Sequence, residues 1–483
     1  MKQAYIVIDI GTGNSRVALV STEGEILAIE KENTILHRDK QILGGEYFVP
    51  DEWKACIFGL IRRAMRKSQD VQILGVTSVT LRQGIVLIGK DGSSLVGYSN
   101  GDRRGQPWME GCNWERVTQI TGLTPSAIFS AVKVMGTMRL DPELMEQTKC
   151  YTSISDWIGY LFTGRCVWEK AQAMQSCLYD IQQECWSEEL CDLLGLDIGL
   201  LPELAEAGTM LGDVRREICR ELGWNESVPF IVGTADTQAA LEAMQPELGD
   251  VVIVSGTTSP CLKIKDRFTP YPMTWVSPTT QPGRLMLEVN TASCGINVQR
   301  FKNLMMPQVS YDTLTQDAVL RGIPESDLPG VIAVFSPGLH LDKITPDGGF
   351  VLRSPIAVDL KASDFFHAMV LNTALSIVMC LERMKALDGI ETDVLIGCGG
   401  GFETPVTGQC VADLMGLPVR IYENYREATV FGGFALCCRA AGRQVPERKV
   451  LNQWEPHPCA GLENYYRQWR QARTGFQQLR FEP

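Results

Sequence analysis

Tyr5-Ile-Val-Ile-Asp-Ile-Gly-Thr-Gly-Asn-Ser-Arg16 is the stretch of sequence that decides the fold, and an apolar run to Ser21 and the pair Glu23-Gly24 follow it. Apolar runs on both sides of a short polar turn predict a strand, a turn and a second strand. Helix-period apolar positions over residues 52–67 and strand-like runs over residues 71–79 and 84–88 come next. Helices therefore alternate with strands, which predicts an α/β fold.

The same order of elements returns in the second half of the chain. Residues 251–254 are an apolar run that leads into Ser255-Gly256-Thr257-Thr258-Ser259 and then into a strand-like run over residues 261–264. This weak internal repeat predicts two similarly built domains, with residues 1–245 in one and 246–483 in the other. No low-complexity linker separates them, so we expect the two domains to pack around a central cleft.

Charge and cysteine usage limit the class of protein. The 45 Lys and Arg residues against 57 Asp and Glu give a net charge of −12, which disfavours sequence-independent nucleic-acid binding. The 16 cysteines form no C-x-x-C pair and no export signal precedes them, which predicts a reduced, cytoplasmic chain. No apolar stretch approaches membrane-spanning length, so no membrane is expected, and four scattered histidines argue against a His-ligated metal site.

Two Gly-Thr turns are candidate phosphate sites. Gly11-Thr12-Gly13-Asn14 places small and hydroxyl residues between the acidic Asp9 and the basic Arg16. Such a turn cradles an anion with its N–H groups, but a hairpin turn without a ligand is an equally good interpretation. Asp9 favours the phosphate site, because a carboxylate at the end of a strand can hold Mg²⁺. Gly256-Thr257-Thr258 occupies the corresponding place in the second half, and two such turns would clamp a polyphosphate. Taken singly, this turn favours a hairpin without a ligand.

Asp236 is a candidate general base. A short apolar strand over residues 229–232 leads to Gly233-Thr-Ala-Asp236, and a helical pattern covers residues 237–244. Helix capping alone explains an aspartate there. If Asp236 also faces a cleft, its carboxylate can accept the proton of a hydroxyl group that attacks phosphorus.

Gly399-Gly400-Gly401 is the most specific local signal in the chain. The glycines follow an apolar run over residues 394–396, and Thr404, Pro405 and Gly416 fit the N-cap, the first turn and the C-cap of the next helix. Three glycines before a helix allow a phosphate or a flat ring to approach the backbone. The alternative is a loop that only permits close helix packing.

A polar cluster follows the strand at residues 71–79. Leu81-Arg82-Gln83-Gly84 and Asn100-Gly101-Asp102 supply groups that can hydrogen-bond a polyhydroxylated ligand. These residues by themselves favour the alternative interpretation, a solvated loop.

In this order and spacing, the segments resemble the FGGY family of carbohydrate kinases over almost the whole chain. The turns at residues 9–16 and 256–258 resemble the two phosphate motifs, residues 399–416 the adenosine motif, and residues 427–433 the closing helix of that family. Asp236 falls at the position of the catalytic aspartate. Within the family, residues 82–87 and 154–157 are most similar to autoinducer-2 kinases, and xylulose kinases are also similar.

The resemblance implies two actin-like (ribonuclease H-like) domains of the hexokinase/actin superfamily that close over ATP in a central cleft. Asp236 would be the base and would hold Mg²⁺ together with Asp9. The resemblance assigns the following residues to the nucleotide: Gly11, Thr12, Gly13, Asn14, Arg16, Gly256, Thr257, Thr258, Gly295, Gln299, Gly399, Gly400, Gly401 and Thr404. It assigns the following residues to the acceptor: Arg82, Gln83, Asp102, Asp236 and Thr237.

One departure from the family bears on the acceptor. Gln83 stands where glycerol kinases and autoinducer-2 kinases carry a glutamate, so a carboxylate that would accept a ligand hydroxyl is replaced by an amide. Glycerol is therefore not the expected acceptor. Phe402-Glu403-Thr404-Pro405 also differs from the usual sequence after the glycines, which leaves adenine packing open.

The expected function is ATP-dependent phosphorylation of a small sugar, polyol or related polyhydroxy metabolite, similar to a pentulose or to autoinducer-2. The alternative is a catalytically silent, ligand-responsive regulator of the same fold. Asp9 and Asp236 favour an enzyme. A homodimer is compatible with the sequence, which does not fix the oligomeric state.

Overall fold

A computed structural model describes residues 2–68, 70–224, 226–323, 330–341 and 344–479 of the chain. The strands of the first half are β1 Lys2–Ile10, β2 Asn14–Ser21, β3 Ile26–Asn33, β4 His37–Arg38, β5 Glu46–Phe48, β6 Val71–Thr80, β7 Ile85–Gly89, β8 Ser94–Tyr98, β9 Thr148–Ser153, β10 Val167–Glu169, β11 Tyr179–Asp180, β12 Cys185–Trp186, β13 Glu203–Ala205, β14 Met210–Asp213 and β15 Pro229–Ala235. Its helices are α1 Pro50–Lys67, α2 Trp114–Thr121, α3 Ser130–Leu140, α4 Pro142–Gln147, α5 Ile154–Thr163, α6 Lys170–Met174, α7 Glu188–Leu194, α8 Arg216–Leu222 and α9 Asp236–Met244.

The second half continues the same alternation of strands and helices. Its strands are β16 Val251–Val254, β17 Thr258–Lys265, β18 Trp275–Pro278, β19 Leu285–Ser293, β20 Val331–Val334, β21 Gly349–Leu352, β22 Leu395–Cys398, β23 Val419–Tyr422 and β24 Val450–Trp454. Its helices are α10 Gly295–Met305, α11 Tyr311–Arg321, α12 Ala362–Asp388, α13 Pro405–Met415, α14 Ala428–Ala440 and α15 Ala460–Gln478.

Two mixed sheets with related topology form the framework. The first has the order β14-β15-β6-β1-β2-β3, and the second has the order β18-β19-β17-β16-β22-β23-β24. In each, one central strand pairs antiparallel with the strand after it and parallel with a strand that returns later: β1 with β2 and β6, and β16 with β17 and β22. The two Gly-Thr turns therefore occupy equivalent places, and the predicted repeat is confirmed as an actin-like pair of sheets.

The central strands of each sheet are buried on both faces, which explains their apolar sequences. All residues of β1 from Ala4 to Ile10 are buried, including Asp9 at its carboxyl end. Helix α1 begins with Pro50, carries Asp51 and Glu52 in its first turn, and buries Trp53 among its apolar side chains. These features match the strands and the helix that the sequence predicts here.

Strand β15 is longer than the sequence predicts. The apolar run ends at Val232, but the strand continues through Ala235, with Thr234 paired with Val79 of β6. Gly233 makes this possible, because a Cβ at that position would overlap the carbonyl oxygen of Ser78. The extension carries the chain to the edge of the sheet, where α9 and Asp236 begin.

Helix α14 belongs to the second half of the chain but packs on the first sheet. Its buried residues include Val430 and Phe434, which cluster with Tyr5 and Val7 of β1. A Cβ at Gly432 would overlap the carbonyl oxygen of Ala239 in α9, so this glycine is required for the close approach of the two helices. The domain boundary at Gln245-Pro246 remains our proposal. Helix α14 lies after this boundary in the sequence, yet it packs on the sheet that precedes it.

Helix α12 corrects one expectation from the sequence. We expected no apolar stretch of membrane-spanning length, but Ala362–Asp388 contains an 18-residue window with a mean hydropathy of 1.6. In the fold, 83% of that window is buried, where the helix packs against β17, β19 and β20 and against neighbouring helices. A core helix surrounded by apolar neighbours has the same composition as a membrane span, which is why the sequence pattern does not separate the two.

Candidate active site

A cavity of about 500 Å³ lies against the second sheet. A volume of this size is typical of pockets for small ligands and cofactors. Residues from three separate sequence motifs meet in its lining: Gly256, Thr257, Gly295, Gln299, Gly400, Gly401 and Thr404. The fold thus gathers predicted nucleotide residues that lie as far apart in sequence as Gly256 and Thr404.

The turn between β16 and β17 and the start of α10 form one side of this cavity. The Gly256 N–H donates to the Thr258 carbonyl oxygen at 2.9 Å, which closes the turn. The N–H groups of Cys294 and Ile296 donate to the Thr257 carbonyl oxygen at 3.3 and 3.2 Å. A Cβ at Gly295 would overlap the Gly256 carbonyl oxygen, so glycine lets the helix start press against the turn. The turn and the helix start therefore meet at one wall of the cavity, which Gly256, Thr257 and Gly295 line.

The glycine-rich loop forms another side, and its three glycines have different neighbours. A Cβ at Gly399, whose φ is +91°, or at Gly401 would overlap atoms of Ser255. A Cβ at Gly400 would meet only Glu403 Oε1, at 3.8 Å. Close packing therefore explains Gly399 and Gly401, whereas Gly400, which lines the cavity beside Gly401, has room for a ligand.

Helix α13 follows this loop and begins and ends as the sequence predicts. The Thr404 hydroxyl accepts from the Val406 N–H at 3.4 Å, Pro405 is the first helical residue, and Gly416 ends the helix with φ +66°. The cap fixes the direction of the chain as it leaves the cavity wall.

The turn at Gly11-Thr12-Gly13-Asn14 is closed by its own backbone and by Thr34. The Gly11 N–H donates to the Asn14 carbonyl oxygen at 2.9 Å, and the Thr34 hydroxyl donates to the Gly11 carbonyl oxygen at 2.8 Å. Residues 12–14 are exposed. The lining of the 500 Å³ cavity does not include residues 11–14, so their contact with a polyphosphate remains a prediction.

Arg16 is held between two carboxylates. Its guanidinium donates to Asp9 Oδ2 and to Glu427 Oε2, each at 2.5 Å, and to the Thr429 hydroxyl at 3.1 Å. Thr429 also donates to Asp9 Oδ2 at 2.5 Å. Arg16 therefore fixes Asp9 at the end of β1 and joins the first sheet to the start of α14. Asp9 and Glu427 already balance the charge of Arg16. A contact between Arg16 and a phosphate remains a prediction.

Asp236 is the first residue of α9, with Ala235 at the N-cap position. Its Oδ1 accepts from the Thr237 N–H at 2.7 Å and from the Thr237 hydroxyl at 3.2 Å. Burial raises the pKa of the Asp236 carboxyl, the nearby Arg82 lowers it, and Asp9 raises it. A partly buried carboxylate with a raised pKa is a stronger proton acceptor than an exposed one.

Arg82 forms a buried two-point ion pair with Glu288 of β19. Its two terminal nitrogens donate to Glu288 Oε2 at 2.5 Å and Oε1 at 3.0 Å. Asn290 Nδ2 donates to the same Oε1 at 2.7 Å, and the guanidinium carbon lies 5.4 Å from the centroid of the Trp275 ring. Residues of both halves therefore meet beside Asp236.

Comparison with known proteins decides the family. The models of the FGGY family of carbohydrate kinases match residues 4–242 with their N-terminal domain and residues 338–441 with their C-terminal domain. The chain belongs to the FGGY family of carbohydrate kinases. The resemblance and the two-domain actin-like fold that we predicted are confirmed, and this FGGY kinase is an enzyme. Nothing in these comparisons supports the alternative of a silent regulator.

Relatives of this FGGY kinase include sugar kinases over its full length. The chain is 35% identical over 480 residues to the putative sugar kinase YoaC of Bacillus subtilis, covering 98% of each chain. It is 24% identical over 469 residues to the autoinducer-2 kinase of Photorhabdus laumondii subsp. laumondii, covering 90% of this chain and 85% of that protein. Its fold is similar to that of a xylulose kinase from Lactobacillus acidophilus, with a TM-score of 0.84, 15% identity and 99% of each chain covered.

The other predicted acceptor residues of this FGGY kinase are engaged with protein groups. Gln83, with φ +61°, donates from Nε2 to Gln175 Oε1 at 2.5 Å. Asp102 is fully buried and accepts from the Arg104 Nε at 2.9 Å and from the Glu46 N–H at 2.7 Å. The structure brings Arg82 close to Asp236, whereas the Asp102 carboxylate forms an ion pair with Arg104 in the same loop. Direct contact of Gln83 or Asp102 with an acceptor remains a prediction.

The sequence analysis missed two residues of this FGGY kinase that lie at the site. Lys31 lies opposite Arg16 in the β2–β3 register and lines the 500 Å³ cavity from the first half. Glu288 is an acidic residue inside the apolar strand Leu285-Met-Leu-Glu-Val289, and that contrast is a signal for a functional charge. No comparable signal marks Lys31.

A pair of buried carboxyl groups lies behind the end of β15. Glu169 caps α6 and accepts from the Thr234 hydroxyl at 3.0 Å, and its own N–H donates to Asp156 Oδ2 at 3.1 Å. Burial raises the pKa of Asp156 to about 7 and that of Glu169 to about 8, and the Asp156 charge adds to the rise for Glu169. Both groups support the segment that carries Asp236.

Proposed function

We propose that the protein transfers the γ-phosphoryl group of ATP to a hydroxyl group of a small sugar, polyol or related polyhydroxy metabolite, of the pentulose or autoinducer-2 type. The observation that carries the proposal is the placement of the Asp236 carboxylate at the start of α9, near both Arg82 and Asp9. The names of the relatives, a putative sugar kinase and an autoinducer-2 kinase, support this acceptor class.

Asp236 is the general base in this proposal. Its carboxylate takes the proton of the acceptor hydroxyl while that oxygen forms a bond to the γ-phosphorus. The bond between that phosphorus and the oxygen bridging to the β-phosphate breaks, and ADP leaves with the bonding electron pair. The Thr237 N–H, which donates to Asp236 Oδ1 at 2.7 Å, keeps the carboxylate aimed during the transfer.

The 500 Å³ cavity holds the nucleotide in this proposal. The Thr257 N–H and hydroxyl bind phosphate oxygens, and Gly400 lets the nucleotide approach the backbone. Lys31 adds a positive charge from the first half. Phosphoryl transfer depends mainly on positioning and charge neutralisation, which these groups supply in the proposal.

Asp9 and Asp236 fit a magnesium site. The Asp9 carboxylate raises the pKa of Asp236, so the two negative charges lie close enough to repel each other. The hydrogen bonds from Arg16 and Thr429 both reach Asp9 Oδ2. Mg²⁺ takes oxygen ligands and is bound by one or two carboxylates together with phosphates and water, where it neutralises the charge on the phosphoryl oxygens.

An ADP-release screen with Asp236→Asn tests the proposal. The screen covers pentuloses, hexuloses, pentitols and dihydroxypentanedione, with nucleotide binding measured by calorimetry. We expect Asp236→Asn to lower acceptor-dependent turnover by roughly 10²- to 10⁴-fold and to leave ATP affinity within about threefold. Asp213→Asn, at an exposed position in β14, is the matched control. Near wild-type turnover of Asp236→Asn would refute the base assignment.

A further inference from the structure

The acceptor side of the site carries a guanidinium whose charge is already paired by the protein. Arg82 is 8% exposed and Glu288 is fully buried, and two hydrogen bonds join them. The two residues are 206 positions apart in sequence and belong to different halves of the molecule. A two-point Arg–carboxylate pair is among the strongest polar contacts in proteins, and removing one partner leaves a buried charge uncompensated.

Among the described residues around this pair, the positive charges are already engaged with protein groups, including Arg383, which donates to the Pro272 carbonyl oxygen at 2.8 Å. Asn290 donates to Glu288, and Gln83 is a neutral amide. His340 lies at 4.7 Å from Trp275, centroid to centroid, and burial lowers its pKa to about 4, so its ring is neutral at physiological pH. The guanidinium of Arg104 is likewise paired, with Asp102. The remaining charge beside Arg82 is the negative one of Asp236.

We propose that Glu288 is a specificity-determining residue that makes this kinase select uncharged polyols and ketoses over acceptors with a carboxylate, such as aldonates. The inference rests on the proposed function. An aldonate carboxylate beside Arg82 would meet a guanidinium whose charge Glu288 already balances, and it would add a further negative charge next to Glu288 and Asp236. A neutral hydroxyl or carbonyl adds no such charge, and the pair uses two of the five N–H donors of Arg82.

The test compares kcat/KM for neutral and anionic acceptors of the same chain length in the full-length protein. The neutral probes are five- and six-carbon ketoses and polyols, and the anionic probes are xylonate and gluconate. For the wild type we expect at least a tenfold preference for the best neutral probe over either aldonate. For Glu288→Gln, which removes the charge and keeps the size, we expect that preference to fall at least tenfold through a gain on the aldonates.

Glu288→Asp separates specificity from a structural role. Asp keeps the negative charge, so we expect the neutral preference to stay within about threefold of the wild type even if turnover falls. An equal loss of preference in Glu288→Asp and Glu288→Gln would overturn the proposal, and so would a wild type that uses gluconate as well as it uses a neutral ketose. The wild-type comparison decides the matter if Glu288→Gln does not fold. Absence of ADP release with every probe would instead contradict the proposed function.

Discussion

The proposed nucleotide side and the proposed acceptor side of this site differ in the groups that line them. In our proposal, the nucleotide side is the cavity of about 500 Å³, whose walls are turns, glycines and a helix start. The acceptor side is built from charged and amide side chains, and Arg82, Glu288 and Asp102 there are buried and paired with one another or with neighbours. Backbone groups keep their place when a side chain changes, whereas a paired side chain depends on its partner. Substitutions should therefore have larger effects on the acceptor side.

The largest expected effect follows Arg82→Met. Removal of the Arg82 guanidinium leaves the Glu288 carboxylate buried without its cation. We expect the KM for the acceptor to rise roughly tenfold or more, while the KM for ATP changes little. Arg82 also lowers the pKa of Asp236, so its loss raises that pKa further. A general base must be deprotonated, and the acidic limb of the kcat/KM profile should therefore move to higher pH.

The pH–rate profile of Arg82→Met checks this expectation directly. Arg116→Met is the matched control, because Arg116 pairs with Glu189 at an exposed position. An acidic limb of Arg82→Met that coincides with the wild type would show that Arg82 does not act on the base.

A smaller effect is expected for Lys31→Met on the nucleotide side. Lys31 is an exposed cation that lines the cavity together with Thr257, so its removal should raise the KM for ATP about three- to tenfold and leave the acceptor KM unchanged. The effect should diminish at high salt, since ions screen an exposed charge. Lys90→Met, at an exposed position after β7, is the control. An equal rise in the acceptor KM would remove the distinction between the two sides.

An effect on stability alone, with the least change expected in activity, concerns Glu169→Gln. The pKa of Glu169 is about 8 in the fold and near its ordinary value of 4.5 in an unfolded chain. The folded protein therefore holds a proton that the unfolded chain releases, and the stabilisation present below pH 4.5 is lost as the pH rises to about 8. One such proton corresponds to a slope of about 1.4 kcal/mol per pH unit.

Urea unfolding of Glu169→Gln at pH 5, 6.5 and 8 measures this slope. We expect the free energy of unfolding to fall less steeply with pH in Glu169→Gln than in the wild type, because the amide does not titrate. Glu203→Gln in β13 is exposed and should keep the wild-type slope. A slope unchanged in Glu169→Gln would mean that Glu169 is ionised in the fold.

The same contrast explains what the sequence predicts and what it does not. The two Gly-Thr turns and the helix from Pro405 to Gly416 are local features, whose residues lie next to each other in the chain, and the structure confirms their placement. The pairing of Arg82 with Glu288 joins residues 206 positions apart, and no local pattern encodes it. Arg16 belongs to a predicted motif, yet its pairing with Glu427 depends on where α14 packs.

Packing alone also explains the two places where the pattern misled. The apolar run ends at Val232, but Gly233 lets β15 continue beside β6. The apolar composition of α12 reflects its burial against the second sheet. Both outcomes depend on neighbours that are distant in sequence. The substrate contacts that we propose also involve residues that are distant in sequence.

The path of α14 has a consequence for how the chain is made. During synthesis, the strands of the first sheet leave the ribosome well before residues 428–440, which cover one face of that sheet through Phe434 and close on Ala239 at Gly432. Until then the apolar residues Tyr5 and Val7 lack their native cover. We therefore expect the amino-terminal half to expose this apolar surface until α14 is made, and such surface favours aggregation of an incomplete chain.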